Sequence, residues 1–367
     1  MNYLIGKNIL VISPEGWGKS KLSKHHYAIE LAKSNKVWFL GPVYAEVTKE
    51  NMEDAYPVSL IADFFSMRGF RFLPHFLQRI ILAKRVEKLQ KKAGVRFNVV
   101  WNFDNSRYYH LDVFKDAFCI HHKMDFHVNY QNEMACKTAH LCLGVTHGII
   151  DQMAPFNHRV HFVQHGYVET QKVNVVLPKT NLPYSALYVG NLLIPFINWE
   201  WLLRLISSNS DVQFYFIGSF GRGNLNPFAE EEAIENITKL KSLPNAMLLG
   251  VCSANEIASY SEQADILLAV YDSMKYPDIT ANSHKIMNYL GSGKPIVSNV
   301  FKEYDAGISL LYMAKTMDDF LKTFDHVKRN KSIYQSLELT KRRKQFACDN
   351  SYSNQLARID SLIQERV

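Results

Sequence analysis

The sequence predicts an α/β protein built from two doubly wound, Rossmann-like halves. Three observations carry that prediction. Short continuous apolar runs recur along the chain, as strands buried on both faces require. Stretches of helical period alternate with them, which implies parallel sheets. A loose tract at 167–185, polar and broken by prolines, separates one alternating series from the next. The 367 residues fit two domains, and 47% hydrophobic with 21% charged residues is an ordinary globular composition.

The elements follow in order. "NILVIS" (8–13) reads as the first strand, a glycine turn follows, and "SKLSKHHYAIELAKS" has helical period. "KVWFLGP" (36–42), closed by Gly-Pro, completes a βαβ unit. Residues 58–92 are mostly helical and basic. "FNVVWNFD" (97–104), "AFCIHHKMD" (117–125), "AHLCLGVT" (139–146) and "HRVHFVQHG" (158–166) are further strands, with "NEMACKT" helical between them. The second series has strands at 186–192, 212–219, 246–252, 264–271 and 294–300, with helices in "NWEWLLRLISSN", "ANEIASYSEQ" and "SHKIMNYLGSG". Ligands of such sheets sit beyond the carboxyl ends of the strands, so two halves facing one another are expected to hold substrates in a cleft.

The net charge of +7 permits an anionic substrate or an anionic surface and selects neither. The odd count of five cysteines, with no C-x-x-C, argues against a disulfide framework or zinc ribbon and favours a reducing cytoplasm. "MNYLIGKNILVIS" reads as a strand and not as a signal peptide. No apolar run is long enough for a transmembrane helix. No basic stripe with a recognised motif points to nucleic acid.

"ISPEGWGKS" (12–20) ends as a phosphate-binding P-loop does. The first glycine of G-x-x-x-x-G-K-[ST] would fall at 13, which is Ser13, and Pro14 removes a backbone N–H that such a loop presents. Two readings remain. Gly16 and Gly18 permit a tight strand-to-helix turn, or Gly16, Trp17 and Gly18 let an acceptor or a donor phosphate approach the first helix N-terminus.

The most informative stretch is "ADILLAVYDSMKYPDITANSHKIMNYLGSGKPIVSN" (264–299). Ser283 stands at a helix N-cap with His284 and Lys285 in the first turn, and Gly291 and Gly293 close the helix. "SHKIMNYLGSGKPIVS" resembles the donor-domain helix and strand of the GT-B glycosyltransferases. "LYVGNLL…LLRLISSNSDVQFYFIGS", "NAMLLGVCSANEIASYSEQADILLAV", "HFVQHGY" and "ACDNSYSNQLARIDSLI" (347–363) look like further parts of that family, and together cover most of the chain. The Ser283-x-Lys285-x-x-Asn288 spacing is more similar to the inverting glucuronosyltransferase of xanthan assembly. The first half is similar to teichuronic-acid transferases. Many retaining members carry two glutamates around this helix. Thr280 and Asn288 stand at those positions here, so an inverting transfer is favoured.

The resemblance implies two Rossmann-like domains facing across a cleft. An acceptor domain (1–170), a linker (171–185), a nucleotide-sugar domain (186–345) and a C-terminal helix returning to the first domain (346–367) follow from it. It also implies a transferase moving a sugar from a nucleoside diphosphate sugar, UDP favoured, to a saccharide or lipid-linked acceptor in polysaccharide biosynthesis. A helix N-terminus plus one lysine stabilises a diphosphate leaving group without metal or cofactor, and Ser283 and Lys285 are the candidates. Asn288 is placed for ribose. Gly190 and Asn191 let the backbone approach the donor, Gly218 and Ser219 lie beside it, and Val251 and Tyr271 flank the base. Arg222 is a candidate for an acidic sugar.

Inverting transfer needs a base for the acceptor hydroxyl. "FCIHHKMDFH" aligns with the family strand that carries it and places Asp125 there, with Asp104 in "WNFDNS" as second candidate; either also suits a turn. His121, His122, Asp125 and His127 are not expected to bind metal, because neighbours on a strand point opposite ways. His165 in "QHG" touches the donor phosphate or caps a loop. "FFSMRGFRFLPHFLQRIILAKRVEKLQKK" (64–92) interleaves aromatic and basic residues, as a helix on an anionic membrane does; an ordinary surface helix has the same pattern. The alternatives to a transferase are a sugar-nucleotide epimerase of GT-B-like fold and a non-catalytic sugar-nucleotide or glycan-binding protein.

Overall fold

The computed structural model describes residues 3–18, 21–42, 45, 47–63, 69–104, 106–126, 130–221, 231–304 and 310–365, less the side chains of Arg71 and Tyr130. Lys19, Ser20, His127, Arg222 and residues 64–68, all named above, lie outside them. The chain divides into two compact units, residues 1–164 with 352–367, and residues 165–351.

The first unit contains strands β1 (Asn8–Ile12), β2 (Lys36–Leu40), β3 (Ser59–Ile61), β4 (Val99–Asn102), β5 (Phe118–Lys123), β6 (Leu141–Gly144) and β7 (Val160–Phe162). They form one parallel sheet in the order β3-β2-β1-β4-β5-β6-β7. Helices α1 (Ser23–Ala32), α2 (Lys49–Ala55), α3 (His75–Ala93), α4 (Tyr130–Thr138) and α5 (His147–Met153) connect them. The apolar runs became strands because both faces of the sheet are covered, leaving β1 and β4 buried almost throughout. The core lies under Leu10, Leu40, Val100, Leu82 and Leu89.

The second unit repeats the plan. Strands β8 (Tyr184–Val189), β9 (Val212–Ile217), β10 (Ala246–Gly250), β11 (Ile266–Ala269), β12 (Ile296–Asn299) and β13 (Leu311–Ala314) form a parallel sheet in the order β10-β9-β8-β11-β12-β13. Its helices are α6 (Trp199–Ser207), α7 (Glu231–Lys241), α8 (Ala254–Gln263), α9 (His284–Ser292), α10 (Met317–Arg329), α11 (Lys331–Tyr334) and α12 (Leu337–Asp349). Helix α6 is capped by Asn198, α8 by a Ser253–Glu256 capping box and α10 by Thr316. These side chains accept from otherwise unsatisfied N–H groups of the first turn. Residues 168–183 have no regular structure but are tied to this unit. Val173 and Leu177 donate their N–H groups to Ser259 Oγ (3.0 Å) and Gln263 Oε1 (3.0 Å).

Helix α13 (Tyr352–Gln364) belongs to the first unit, where Asp360 accepts from the Leu4 N–H at 2.7 Å and Tyr352 packs edge-on to Tyr27. β3 and β13, each at an edge of its sheet, were not read from the apolar pattern. All five cysteines are free. Among the described residues no helix is long and apolar enough to cross a membrane.

Candidate active site

In a doubly wound sheet the crevice lies where the strand order reverses, beyond the carboxyl ends of the strands. In the second unit that point falls between β8 and β11. The chain leaves β8 at Gly190 and β9 at Gly218, with φ of 153° and 141° that favour glycine. The Gly190 N–H donates to Ile217 O (2.8 Å) and the Gly218 N–H to Gly250 O (2.8 Å), so the three strand ends stay laced together. A Cβ at Gly218 would sit 2.0 Å from Gly190 O, and one at Gly190 would sit 2.9 Å from Lys285 Nζ. Gly218 is therefore demanded by backbone approach, and Gly190 by its φ.

Lys285, in the first turn of α9, is buried. Its amine lies 4.2 Å from the Tyr188 ring centroid and 4.6 Å from that of Tyr271. It has no hydrogen-bond partner among the described residues. Burial alone lowers its pKa to about 7. Ring faces attract a cation, but they do not replace the hydrogen bonds a buried charge requires. Ser283 occupies the N-cap position, yet its side chain makes no capping bond. The hydroxyl instead lies beside Tyr271, whose phenol burial pushes up to about 12 against the lowering pull of Ser283.

Sequence reasoning missed two residues here. Tyr188 reads as core in "ALYVGN" and proves to be one wall of the lysine cage. Tyr289 follows Lys285 by one helical turn, on the same inward face. Its buried hydroxyl accepts from the Val189 N–H (2.8 Å) and donates to Leu268 O (3.1 Å). The β8–β11 pairing ends at Leu268↔Tyr188, so this hydroxyl bridges the strands where the ladder stops. The spacing from Lys285 was the available signal.

The other expected donor residues are placed as follows. The Asn191 side chain accepts from the Leu193 N–H (3.0 Å) and the Ser219 carbonyl from the Leu192 N–H (2.8 Å), so both shape the loop beyond the glycines. His284 and Asn288 are exposed on α9, and Val251 is 76% exposed beyond β10. His165 is buried, its ring 6.2 Å from that of His284. Burial, then the His284 charge, lowers its pKa to about 3.

In the first unit the order reverses between β1 and β4, and that crevice is filled. The buried Arg107 donates to Asp104 Oδ2 (2.6 Å), Asp63 Oδ2 (2.9 Å), Gly41 O (2.8 Å) and Ser13 O (2.7 Å). Asp63 also pairs with Arg85. Asp104 is thus held in an ion pair, 3% exposed, whereas Asp125 stands exposed just after β5. His121 bonds Asn132 (3.1 Å), burial lowering its pKa to about 4, and His122 accepts from Trp101 Nε1 (3.3 Å). Among the described residues no group of three or more His, Cys, Asp or Glu could hold a metal.

The glycine turn is held through its carbonyls. Its carbonyls at Ser13, Gly16 and Gly18 bond Arg107, His25 Nε2 (3.1 Å) and Lys21 Nζ (2.6 Å). A P-loop presents N–H groups. His25 Nδ1 accepts the Leu22 N–H at 2.9 Å, so the ring itself closes the start of α1, and burial lowers its pKa to about 4. Trp17 is buried and donates to Asp54 at 2.8 Å. A Cβ on Gly16 would meet that of Ala45 at 2.6 Å, while Gly18 has open space.

Two parallel sheets of seven and six strands with this topology are the GT-B fold. No protein-family profile matches the chain, and no curated protein matches it. Solved structures do. A glycosyltransferase from Rickettsia africae superposes with a TM-score of 0.70 at 11% identity, covering 98% of both chains. Sucrose-phosphate synthase from Thermosynechococcus elongatus gives 0.70 at 9%, again over 98% of both. The Anabaena protein HepE, in complex with UDP and glucose, gives 0.65 at 12%, over 98% of this chain and 99% of that one.

Proposed function

We propose that the protein is a glycosyltransferase that moves a sugar from a nucleoside diphosphate sugar to a hydroxyl of a saccharide or lipid-linked glycan in polysaccharide biosynthesis. The observation that carries this is the buried amine of Lys285 beside Gly190, without a hydrogen-bond partner among the described residues, at a helix N-terminus and a strand-order reversal. A buried amine without partners is costly unless an anion completes it. A diphosphate supplies that anion, and the N-terminus of α9 adds to the attraction. The UDP held by the Anabaena protein favours uridine.

In the proposed reaction the acceptor oxygen attacks the anomeric carbon while the bond to the β-phosphate oxygen breaks. The electron pair leaves on the diphosphate, where Lys285 and Ser283 receive it. Asp125 takes the acceptor proton, and a single displacement inverts the anomeric centre. Gly190, Asn191, Gly218 and Ser219 shape the donor loops, Tyr271 and Val251 flank the base, and Asn288 and His284 reach the ribose side. The chain's own cation answers the leaving-group charge, so the scheme needs no metal. The glycine turn serves packing. The enzyme would act in the cytoplasm, at the inner face of the membrane where its acceptor is lipid-linked.

Thermal melting with UDP, GDP and CDP, with and without Mg²⁺, tests this. The expected result is a rise with UDP that Mg²⁺ does not alter, about 2.7 kcal/mol at a hundredfold excess over Kd. A rise with ATP and Mg²⁺ alone would sink the proposal.

A further inference from the structure

Helix α3 carries an exposed arc with two characters. Its first turns present Phe76, Leu77 and Ile80, exposed by 62%, 36% and 50%. Further along, Lys84, Lys88 and Lys91 are exposed, with Glu87 as the acidic residue among them. At 3.6 residues per turn these side chains fall within an arc of about 120°, and Phe76 to Lys91 spans about 23 Å. The opposite face buries Leu82, Val86 and Leu89 in the core of the first unit, which fixes the rotation of the helix. Arg79, next to the apolar turn, pairs with Asp112 at 2.6 Å and still exposes 56% of its side chain.

We propose that this arc docks the protein on an anionic lipid bilayer, with Phe76, Leu77 and Ile80 at the boundary of headgroup and acyl chain and the lysines over the headgroups. Large apolar side chains in water are an unfavourable arrangement that an interface relieves. The lysine row supplies charge complementarity to anionic lipid. A second copy on the same arc would set lysines against lysines or seat them on the apolar turn, so the charge pattern disfavours it. The docking stands on α3 alone. Its purpose, bringing the enzyme to a lipid-linked acceptor, rests on the transferase reading.

The test is co-sedimentation of the full chain with vesicles of phosphatidylcholine, with and without phosphatidylglycerol. Wild type is compared with the pairs Phe76→Ser/Ile80→Ser and Lys84→Glu/Lys88→Glu. Binding is expected only to the anionic vesicles, weaker at high salt, and reduced about tenfold or more in each pair. Both pairs change exposed residues, so circular dichroism and melting temperature should match wild type. No binding to anionic vesicles overturns the proposal. So does equal binding to phosphatidylcholine, binding undiminished in both pairs, or a dimer that Phe76→Ser/Ile80→Ser dissolves. The UDP-induced rise in melting temperature separates the two ideas. Its absence in a wild-type protein that still binds vesicles sinks the donor proposal and leaves this one standing.

Discussion

At the carboxyl end of β1 a buried guanidinium reaches four acceptors; at the carboxyl end of β8 a buried amine reaches none among the described residues. The two sheets share the same strand order around that point, so topology alone does not explain the difference. In the first unit Arg107, Asp63 and Asp104 satisfy one another and the loop carbonyls, and the crevice is complete as it stands. In the second, glycines hold space open and the Lys285 amine is left over an aromatic pair. Identical frames can thus be finished internally or left for a ligand, and hydrogen-bond completeness tells the two apart.

The largest effect comes from opening the finished crevice. Asp63→Ala leaves Arg85 and Arg107 buried without their shared carboxylate. About 3–5 kcal/mol of stability should be lost, read by urea denaturation. A loss under 1 kcal/mol would mean that water replaces the carboxylate and the crevice is not closed. Lys285→Met, which keeps the apolar stem and removes the amine, should do the opposite. The ligand-free melting temperature should not fall, because an unpartnered amine leaves the interior, while transfer should drop about 10²–10³-fold and the UDP shift vanish. Full activity in this variant would end the comparison.

Tyr289→Phe should act more gently. It strips the bridge between the Val189 N–H and Leu268 O and should cost about 1–3 kcal/mol in stability. As a positioning change it should raise the Kd for UDP measured by calorimetry, and an unaltered Kd would make the bridge purely structural.

The fourth effect is graded. Burial holds Lys285 near pKa 7, below its ordinary 10.5. Between those values the unfolded chain binds more protons, so this group alone makes stability rise with pH across that window. Donor binding has the reverse sign, because the diphosphate needs the charged amine. UDP affinity should fall by up to about tenfold per pH unit above 7, with proton uptake visible as a buffer-dependent binding heat. A flat profile from pH 7 to 9 would show that the cage does not keep the amine neutral.

Much of this was legible in the sequence, for local reasons. Buried parallel strands need apolar residues on both faces, so "NILVI" and "VQFYFI" declare themselves. Lys285 was singled out through the resemblance of "SHKIMNYLGSGKPIVS" to the GT-B donor-domain helix, because a lysine in the first turn of a helix reads by itself as a solvated side chain. Arg107 and Asp63 were not, because their partnership spans 44 positions and Asp63 follows a strand of three residues. Ser283 was half legible. Its position marks the N-cap, but its hydroxyl leaves the helix for Tyr271, a choice made by tertiary packing. The glycine turn showed its missing P-loop features in Ser13 and Pro14, while the guanidinium that bonds the Ser13 carbonyl comes from Arg107, 94 positions on.

The chain's return to its first unit has a consequence for synthesis. The hydrogen bond from Leu4 to Asp360 joins residues 356 positions apart, and α13 belongs to the unit whose remainder ends at residue 164. A nascent chain emerging from the ribosome must carry that first unit unfinished, with the Tyr27 face that meets Tyr352 uncovered, while the whole second unit is made and folds. An element translated after the whole second unit therefore closes the unit begun before it. A chain stopped at residue 351 would hold an intact second unit and an N-terminal half with an apolar seam open to chaperones and to its neighbours.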